Sequence, residues 1–409
     1  MPHDRLQQKL LEELSQFETE GRRKARESVI TAVVPPQNGR GPRFLLDGEG
    51  EKPFLRMNGN NYLGLSLRKE LIAAEDDHVR RFGTGPGAVR FISGTWGPHR
   101  ELERSLASFH GREGAIIFGS AYGAMMGLLP QLITADTAVI SDALNHSCII
   151  NAIRLARPRE RFIYRHLHLT ELETRLTGAA KTCRRAIIVT DGVFSMRGDH
   201  APLAKITALA QQYDSVFPEN VLVVVDDSHG VGAMGATGRG TEEQEGATAD
   251  ILVGTLGKAF GVNGGYIAAS QTVIDYLRET SPFYVYSNPI APGEAAAAVK
   301  AIAIVDSPLG CDLLRHLKVI AARLRDGLTA LGLETVAGDH PIVPLVLRNS
   351  QRTAALVRHL RQRCILATGI NFPVVPQGDE EIRFQVCADH TRADIDETLK
   401  AVKDFGAFP

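Results

Sequence analysis

The chain has 409 residues, 44% of them hydrophobic and 23% charged, with a formal net charge of −1. These values fit a globular protein of two or three domains and give no electrostatic argument for nucleic acid or membrane as a partner. No apolar run reaches the ~18 residues of a membrane-spanning helix. The five cysteines are scattered, so neither a disulfide framework nor a metal site is expected. The charged N-terminus lacks a signal-peptide core, which favours a reduced, cytoplasmic enzyme.

The first segment of the chain is predicted to be a charged amphipathic helix over residues 5–25. Its apolar face consists of Leu6, Leu10, Leu11, Leu14 and Phe17. Pro35, Pro36 and several glycines break the pattern up to about residue 52. We expect residues 1–56 to form an arm that packs on the body of the protein or on a partner subunit.

From about residue 115, short β-branched runs alternate with stretches of helical period. The runs occupy 115–120, 137–142, 161–166, 186–191, 221–227, 250–257 and 264–270. Near-continuous apolar strands of this kind are buried on both faces, as in a mainly parallel sheet covered by helices. The connection from 257 to 264 is too short for a helical crossover. The last two strands are therefore predicted to be antiparallel to each other or not adjacent.

After Pro292 the sequence is rich in helical patterns and then contains two short apolar runs, PIVPLVL and EIRFQV. Thr391 and Asp394 have the spacing of a helix start signal, which predicts a final helix. We therefore expect a large domain over residues 57–295 and a smaller α+β domain over residues 296–409.

Polar residues follow several predicted strands at their carboxyl ends, where ligand sites of α/β sheets lie. The residues at these strand ends include Ala121, Tyr122, His146, Ser195, Asp226, His229, Thr255 and Lys258. Each of them taken singly is more often a helix cap or a surface group. Five polar strand ends that converge on one edge of a sheet favour a binding site instead.

Lys258 is the most informative of these residues, because it follows a buried strand and has small neighbours. A lone lysine at a strand end is usually solvated, whereas a partly desolvated lysine has the lowered pKa that Schiff-base chemistry needs. A lysine with a carboxylate such as Asp226 is what pyridoxal phosphate requires, since the carboxylate keeps the pyridinium protonated. A phosphate group would suit the helix start after Ser120, with Thr255 adding a hydroxyl.

A second motif, GxGxxG over residues 230–235, follows a predicted strand and could indicate a dinucleotide-binding fold. That fingerprint needs its third glycine inside a helix. The residues after Gly235 contain further glycines and no apolar helical period. We therefore disfavour a nicotinamide oxidoreductase.

In combination, the motifs resemble the α-oxoamine synthase family of fold-type I pyridoxal-phosphate enzymes. The motifs are NNYLGL (60–65), GTGPGAVRFISGT (83–95), SDALNHS (141–147), TDGVFSM (190–196), VDDSHG (225–230), TLGKAFG (255–261) and IRFQVCADHT (382–391). The family condenses an amino acid with an acyl-CoA or runs the reverse cleavage. FPVVPQG (372–378) is most similar to its glycine C-acetyltransferase branch. The resemblance implies an α/β fold: a mainly parallel seven-stranded sheet with helices on both faces, plus a smaller α+β C-terminal domain.

The resemblance also implies roles around the cofactor ring. Lys258 would be the Schiff-base lysine that carries pyridoxal 5′-phosphate and the general acid and base at the substrate Cα. Asp226 would pair with the pyridinium nitrogen, and His229 would bond the ring 3-hydroxyl. His146 would stack on the ring and approach the substrate, and Ser195 would contact the 3-hydroxyl region.

Further implied roles concern the phosphate, the substrate and the assembly. Ala121 and Tyr122 would offer backbone amides to the phosphate, and Thr255 would add its hydroxyl. Ser287 and Asn288 would reach the phosphate of the other subunit, which implies a homodimer with shared active sites. Asn61 and Arg383 would hold the substrate carboxylate, a role that suits the planar fork of arginine.

Four positions depart from the family pattern. Arg197 replaces an aspartate after FSM, Met125 and Met126 stand where an asparagine is common, and Pro289 replaces a serine or threonine. These departures bear on the substrate more than on the cofactor. The alternatives left open are a sibling synthase that uses alanine, serine or a longer acyl-CoA with loss of carbon dioxide, and a binding protein that keeps the fold without catalysis.

Overall fold

The computed structural model describes residues 3–20, 27–372 and 374–406. Its N-terminal arm contains α1 (Asp4–Thr19), β1 (Ile30–Val34), β2 (Arg43–Leu46) and β3 (Leu55–Arg56). Strands β1 and β2 pair antiparallel, whereas the whole of α1 is exposed in the single chain. Helix α1 agrees with the first part of the predicted helix, and residues 21–25 of that prediction lie outside the described residues.

The centre of the molecule is a seven-stranded sheet in the spatial order β4-β10-β9-β8-β7-β5-β6. Its strands are β4 (Gly114–Phe118), β5 (Thr137–Asp142), β6 (Glu160–Tyr164), β7 (Arg185–Asp191), β8 (Val221–Asp226), β9 (Ile251–Thr255) and β10 (Gly265–Ala269). The strands from β9 to β6 are parallel, and β10 is antiparallel to both β9 and β4. The prediction of a mainly parallel sheet is confirmed, and of the two arrangements expected for the last two strands, antiparallel pairing is the one observed.

Helices cover both faces of this sheet because successive side chains of a strand point to opposite sides. Val225 and Leu252 join one buried cluster, and Val224 and Val253 join another. The helices of this part of the chain are α2 (Lys69–Phe82), α3 (Gly97–Phe109), α4 (Ala121–Leu132), α5 (Ser147–Ala156), α6 (Leu169–Ala179), α7 (Leu203–Tyr213), α8 (Thr241–Glu245), α9 (Gln271–Thr280), α10 (Pro282–Val285), α11 (Pro292–Val305) and α12 (Pro308–Ala330). Helices α4, α5, α9 and α10 cover the Val224 face, and α3, α6, α7, α11 and α12 cover the Val225 face.

The C-terminal part of the chain builds a small antiparallel sheet in the order β11-β14-β13. The elements of this part of the chain are β11 (Ile342–Val346), α13 (Ser350–Gln362), β12 (Ile365–Leu366), β13 (Thr368–Ile370), β14 (Glu381–Gln385) and α14 (Arg392–Asp404). The expected start of the last helix is present, since Thr391 and Asp394 form a reciprocal cap. The division at residues 56 and 295 remains a prediction.

Three short turns complete the described elements: 3-10 turns at Leu65–Leu67 and Asp214–Val216 and a π-helical turn at Arg90–Gly94. Within residues 3–20, 27–372 and 374–406, no helix has both the length and the apolar character needed to cross a bilayer.

Candidate active site

The polar strand ends lie side by side at one edge of the central sheet. Asp191 at the end of β7 is the register partner of Asp226 at the end of β8. Gly265, the first residue of β10, is the register partner of both Thr255 and Phe118. Because β10 is antiparallel to its neighbours, its first residue meets their last residues. The edge therefore collects the ends of β4, β7, β8 and β9 together with the start of β10.

The amino end of α4 points toward this edge. Ser120 caps the helix, and its Oγ accepts the Gly123 N–H at 3.0 Å. The amides of Ala121 and Tyr122 belong to the first turn and have no acceptor within the helix. Gly265 permits the close approach, since a Cβ at this position would overlap the backbone of Ala121. The helix end is thus suited to hold a phosphate.

Lys258 lies in the short loop that joins β9 to β10. The Leu256 N–H donates to Gly264 O and the Val262 N–H donates to Leu256 O, each at 3.0 Å, so both ends of the loop are tied to each other. The Thr255 hydroxyl donates to Gly264 O at 3.2 Å and accepts the Gly257 N–H at 3.2 Å. These bonds fix the start of the loop and carry the lysine over the edge of the sheet.

Burial lowers the pKa of the Lys258 ammonium to about 8. The negative charges of Asp226 and Asp191 act against this shift, whereas the positive charge of Arg383 adds to it. An amine with a pKa of about 8 is uncharged in an appreciable fraction of molecules near neutral pH, and the uncharged form is the nucleophile.

Two consecutive aspartates end β8 in different environments. Asp226 accepts the Ser228 N–H at Oδ1 (3.2 Å) and contacts the Cys148 thiol at Oδ2 (3.4 Å). Asp227 accepts the backbone N–H of Thr241 at 2.7 Å and its hydroxyl at 2.5 Å. Burial raises the pKa of Asp227 to about 8. Asp226 is therefore the one that faces Lys258, and Asp227 holds the chain in place behind it.

His146 is the N-cap residue of α5 and lies between the ends of two strands. Its backbone N–H donates to Asp191 Oδ2 at 3.1 Å, and its Nδ1 accepts the Cys148 N–H at 3.3 Å. The Tyr122 ring stands edge-on to the imidazole, with 6.4 Å between the ring centroids. Desolvation and the charge of Lys258 lower the pKa of His146, against the effect of Asp226. The imidazole is thus neutral at pH 7 and available for stacking.

His229 is held from two sides. The Tyr62 hydroxyl lies 2.8 Å from His229 Nδ1, and His340 Nε2 donates to the His229 carbonyl at 2.8 Å. Burial, assisted by the charges of Lys258 and Arg383, keeps the pKa of His229 well below its usual range. Burial raises the pKa of the Tyr62 phenol, so the pair is uncharged.

Arg383 of β14 reaches the same region from the C-terminal part of the chain. Its Nη1 donates to the Ser195 carbonyl at 2.8 Å. Its buried Nε has no partner among the residues that the structure describes. The Asn61 side chain accepts the Ser66 N–H at 3.3 Å, next to Tyr62. One arm of the guanidinium is therefore anchored at Ser195, and its Nε is a buried donor without a partner among the described residues.

The structure brings most of the predicted site residues together. Lys258, Asp226, His146, His229 and Arg383 act electrostatically on one another. The segment with Ser287 and Asn288 follows α10 and is exposed in the single chain. The role of that segment at another subunit's phosphate remains a prediction.

Sequence reasoning gave no role to three residues that contact this cluster: Tyr62, Cys148 and Asp191. A signal existed for Asp191, because it ends AIIVTD in the way that Asp226 follows VLVVV. Tyr62 stands inside the NNYLGL motif without an assigned role. Nothing in the sequence indicated Cys148, since its contact with Asp226 joins α5 to β8.

The positions that depart from the family pattern lie outside the cluster. Arg197 forms an ion pair with Asp199 at 2.8 Å, and Asp199 accepts from His166 at 3.2 Å. Met125 is fully buried, and Met126 packs against the same apolar cluster on the Val224 face. Pro289 is buried behind the exposed Asn288.

The glycine motif at residues 230–235 forms turns. Gly232 and Gly235 have positive φ values of 73° and 79°, and the next described helix, α8, begins only at Thr241. A dinucleotide fingerprint would have its third glycine inside a helix. The geometry of the segment thus differs from that fingerprint.

The described residues fit pyridoxal phosphate. One edge of the sheet presents an amine of lowered pKa, a carboxylate beside it and a helix start with open amides. A neutral imidazole stands next to the carboxylate. An aldehyde, a ring nitrogen, a phosphate and an aromatic face would each find a chemically matched partner.

Known proteins with similar sequences belong to families that agree with the geometry of this site. The profile of the family "Aminotransferase class I and II" matches residues 52–402. The 2-amino-3-ketobutyrate coenzyme A ligase of Escherichia coli K12 is 41% identical over 351 residues, which cover 85% of this chain and 86% of the relative. The 8-amino-7-oxononanoate synthase of Thermosipho melanesiensis is 36% identical over 382 residues, which cover 93% and 94%.

A solved structure is similar over almost the whole chain. The high-resolution structure of SPT with PLP as an internal aldimine has a TM-score of 0.85 at 26% identity, and the match covers 99% of this chain and 97% of that one. The fold predicted from the resemblance is thereby confirmed. Together with the family profile and the two curated relatives, this match shows that the chain belongs to the α-oxoamine synthase family of pyridoxal-phosphate enzymes.

Proposed function

We propose that the protein condenses glycine with acetyl-CoA to give 2-amino-3-oxobutanoate and CoA, or catalyses the reverse cleavage, with pyridoxal phosphate bound at Lys258. The observation that carries the proposal is the Lys258 amine, whose pKa burial lowers to about 8 beside Asp226. The 41% identity to a 2-amino-3-ketobutyrate coenzyme A ligase supports this choice of substrates.

The cofactor, when bound, supplies an electron sink for the negative charge that develops at the substrate Cα. In this proposal Asp226 holds a proton at the ring nitrogen, which keeps the sink effective. The amides at the start of α4 would hold the phosphate, and the Thr255 hydroxyl could join them only by turning away from Gly264 O, to which it donates here. His146 would cover one face of the ring, and neutral His229, fixed by Tyr62 at 2.8 Å, would bond the ring hydroxyl.

Lys258 would also serve as the general base. Its amine would remove the proton from the substrate Cα, and a pKa of about 8 suits a base that works near neutral pH. Arg383 and Asn61 orient the substrate through its carboxylate. The bond from Arg383 Nη1 to Ser195 O supports this proposal, because it restrains the guanidinium.

We further propose that the active form is a homodimer with shared sites. Helix α1 exposes Leu6, Leu10, Leu11 and Leu14 to between 45% and 66%. Apolar side chains in such an arrangement usually mark an interaction surface. Ser287 and Asn288 are exposed as well, as residues that reach another subunit would be. Light scattering would show a mass of two chains, and a monomer with full activity would contradict the proposal.

The substrates are tested with a panel of glycine, alanine and serine against acyl-CoA thioesters of increasing chain length, with thiol release as the measurement. We expect the highest kcat/KM for glycine with acetyl-CoA. Absence of activity with this pair in both directions would exclude the proposed reaction. Borohydride treatment followed by peptide mass spectrometry would locate the cofactor independently of turnover.

The role of Lys258 is tested with Lys258→Ala and a matched control, Lys205→Ala, an exposed lysine of α7. The first variant should lose borohydride-fixed cofactor and at least about 10³-fold in kcat. The control should keep both properties. Retention of covalent cofactor in Lys258→Ala would contradict the assignment.

A second candidate function is the condensation of alanine with a longer acyl-CoA and loss of carbon dioxide. The 36% identity to an 8-amino-7-oxononanoate synthase over 93% of this chain favours it. The same panel separates the two functions, because each predicts a different preferred pair of amino acid and acyl-CoA.

A further inference from the structure

Cys148 in the first turn of α5 contacts two of the residues assigned to the cofactor. Its Sγ lies 3.4 Å from Asp226 Oδ2 and 3.0 Å from His146 Nδ1, and the side chain is almost fully buried. His146 Nδ1 already accepts the Cys148 N–H and is therefore an acceptor. Because both neighbours accept, the single thiol hydrogen lies between the carboxylate and the imidazole.

The charges around this thiol keep it protonated. Burial, together with the negative charges of Asp226 and Asp191, raises the pKa of the Cys148 thiol far above its usual range. Asp191 is buried too, and its Oδ1 has no partner within the described part of the chain. Burial and the charge of Asp226 raise the pKa of Asp191 well above its usual range. The Cys148 thiol therefore keeps its hydrogen as a donor beside the Asp226 carboxylate.

The thiol completes the set of donors that fixes the Asp226 carboxylate. Oδ1 accepts the Ser228 N–H at 3.2 Å, and Oδ2 faces the thiol. One donor on each oxygen holds the plane of the carboxylate while a lone pair of each oxygen stays free for a ligand. Serine at position 148 would keep a donor to Asp226 Oδ2, whereas alanine would leave Oδ2 without this donor.

We propose that Cys148 is a positioning residue, which aligns the Asp226 carboxylate with the His146 imidazole so that the two together hold the ring of pyridoxal phosphate. The inference rests on the proposed use of this cofactor and adds a residue to which the sequence gave no role. The thiol acts through Asp226 and His146 and takes no part in proton transfer.

The chain contains a matched control for this role. Cys183 is also buried, but its Sγ lies 3.6 Å from the neutral Thr182 hydroxyl. Replacement of Cys183 by alanine therefore removes a buried thiol without changing the site. A difference between the two alanine variants separates positioning from packing.

The test compares the wild-type protein with Cys148→Ala, Cys148→Ser and Cys183→Ala after reconstitution with pyridoxal phosphate. The readouts are the dissociation constant of the cofactor and the visible circular dichroism per bound cofactor, which reports how the ring is held. Cys148→Ala should bind about tenfold more weakly and show a reduced signal, since a hydrogen bond to a charged group is lost. Cys148→Ser should stay within about threefold of the wild type, because it keeps a donor.

Two results would overturn the inference: Cys148→Ala that matches the wild type, or Cys148→Ser that is as impaired as Cys148→Ala. Cys183→Ala should match the wild type in both readouts. Thermal unfolding of the cofactor-free proteins shows whether each variant is folded. A wild-type protein that binds no pyridoxal phosphate would refute the proposed function itself, which is a different outcome.

Discussion

Two neighbouring regions at the end of β8 use the same residue type for opposite purposes. In the carboxyl-edge cluster, which comprises Asp226 with Lys258, His146 and Cys148, the carboxylate keeps lone pairs that face the site. In the turn around Asp227, Thr241 supplies two donors. A Cβ at Gly192, Gly230 or Gly240 would overlap the Asp227 carboxyl group, so glycines enclose it. A strand-end aspartate is thus available for chemistry only where the protein leaves its hydrogen bonding incomplete.

The sharpest test of this comparison is asparagine at each position. Asp226→Asn should lower kcat by about 10²- to 10³-fold, because an amide cannot hold the proton at the ring nitrogen. Asp227→Asn should stay within about threefold of the wild type, since Asp227, with a pKa of about 8, already holds a proton at pH 7. Steady-state kinetics at saturating substrate would measure both. Equal losses in the two variants would contradict the distinction.

Removal of the Asp227 side chain tests the structural half of the comparison. Asp227→Ala should lower the free energy of unfolding by about 3 kcal/mol, since the buried N–H and hydroxyl of Thr241 both lose their acceptor. Denaturant unfolding of the cofactor-free protein would measure the loss. Asp226→Ala is the control and should change the stability by less than about 1 kcal/mol. A larger loss of stability for Asp226→Ala than for Asp227→Ala would contradict the structural role of Asp227.

A third polar group, His166, makes the free energy of unfolding depend on pH. Burial lowers its pKa, but hydrogen bonds to Asp142 and Asp199 raise it to about 9. Because the folded pKa lies above the unfolded value, the stabilisation is complete below about pH 6.5 and is lost as the pH rises through 9. We expect a loss of about 2 kcal/mol over this range in denaturant titrations. His166→Gln should lack this dependence, and equal slopes for both proteins would refute it.

The smallest expected effect is that of Arg197, which lies at the outer end of the same network. Its ion pair with Asp199 is partly exposed, so Arg197→Ala should lower the free energy of unfolding by less than about 1 kcal/mol. Arg278→Ala offers a contrast, because Arg278 pairs with the buried Glu103 at 2.9 Å. Its replacement should lower the free energy of unfolding by more than that of Arg197. Thermal unfolding of both variants would compare them. A larger loss for Arg197→Ala would place a structural role at this departure from the family pattern.

Much of the fold could be predicted because buried parallel strands have a local signature. Each of the seven apolar runs became a strand whose ends differ from the prediction by no more than two residues. The order of the strands was outside the reach of sequence patterns, since it depends on packing between distant segments. The pairing of Asp191 with Asp226 follows from that order and was therefore not predicted.

The candidate site divides in the same way. Lys258, Asp226 and His146 follow strands directly, so their convergence could be inferred from the rule for strand ends. Tyr62 and Arg383 come from the first and last parts of the described chain, and the resemblance alone assigned Arg383. The Cys148 contact needs the distance between two side chains on different elements, which no spacing in one sequence contains.

The antiparallel strand β10 has a consequence for how this enzyme can diversify. Its presence means that the lysine loop leaves the sheet at Thr255 and returns to it at Gly265, held at both ends by adjacent strands. The loops after β7 and β8 share no segment with it. Changes in those loops can therefore alter the surroundings of the site without displacing the lysine. The covalent anchor of the cofactor thus rests on a segment of its own.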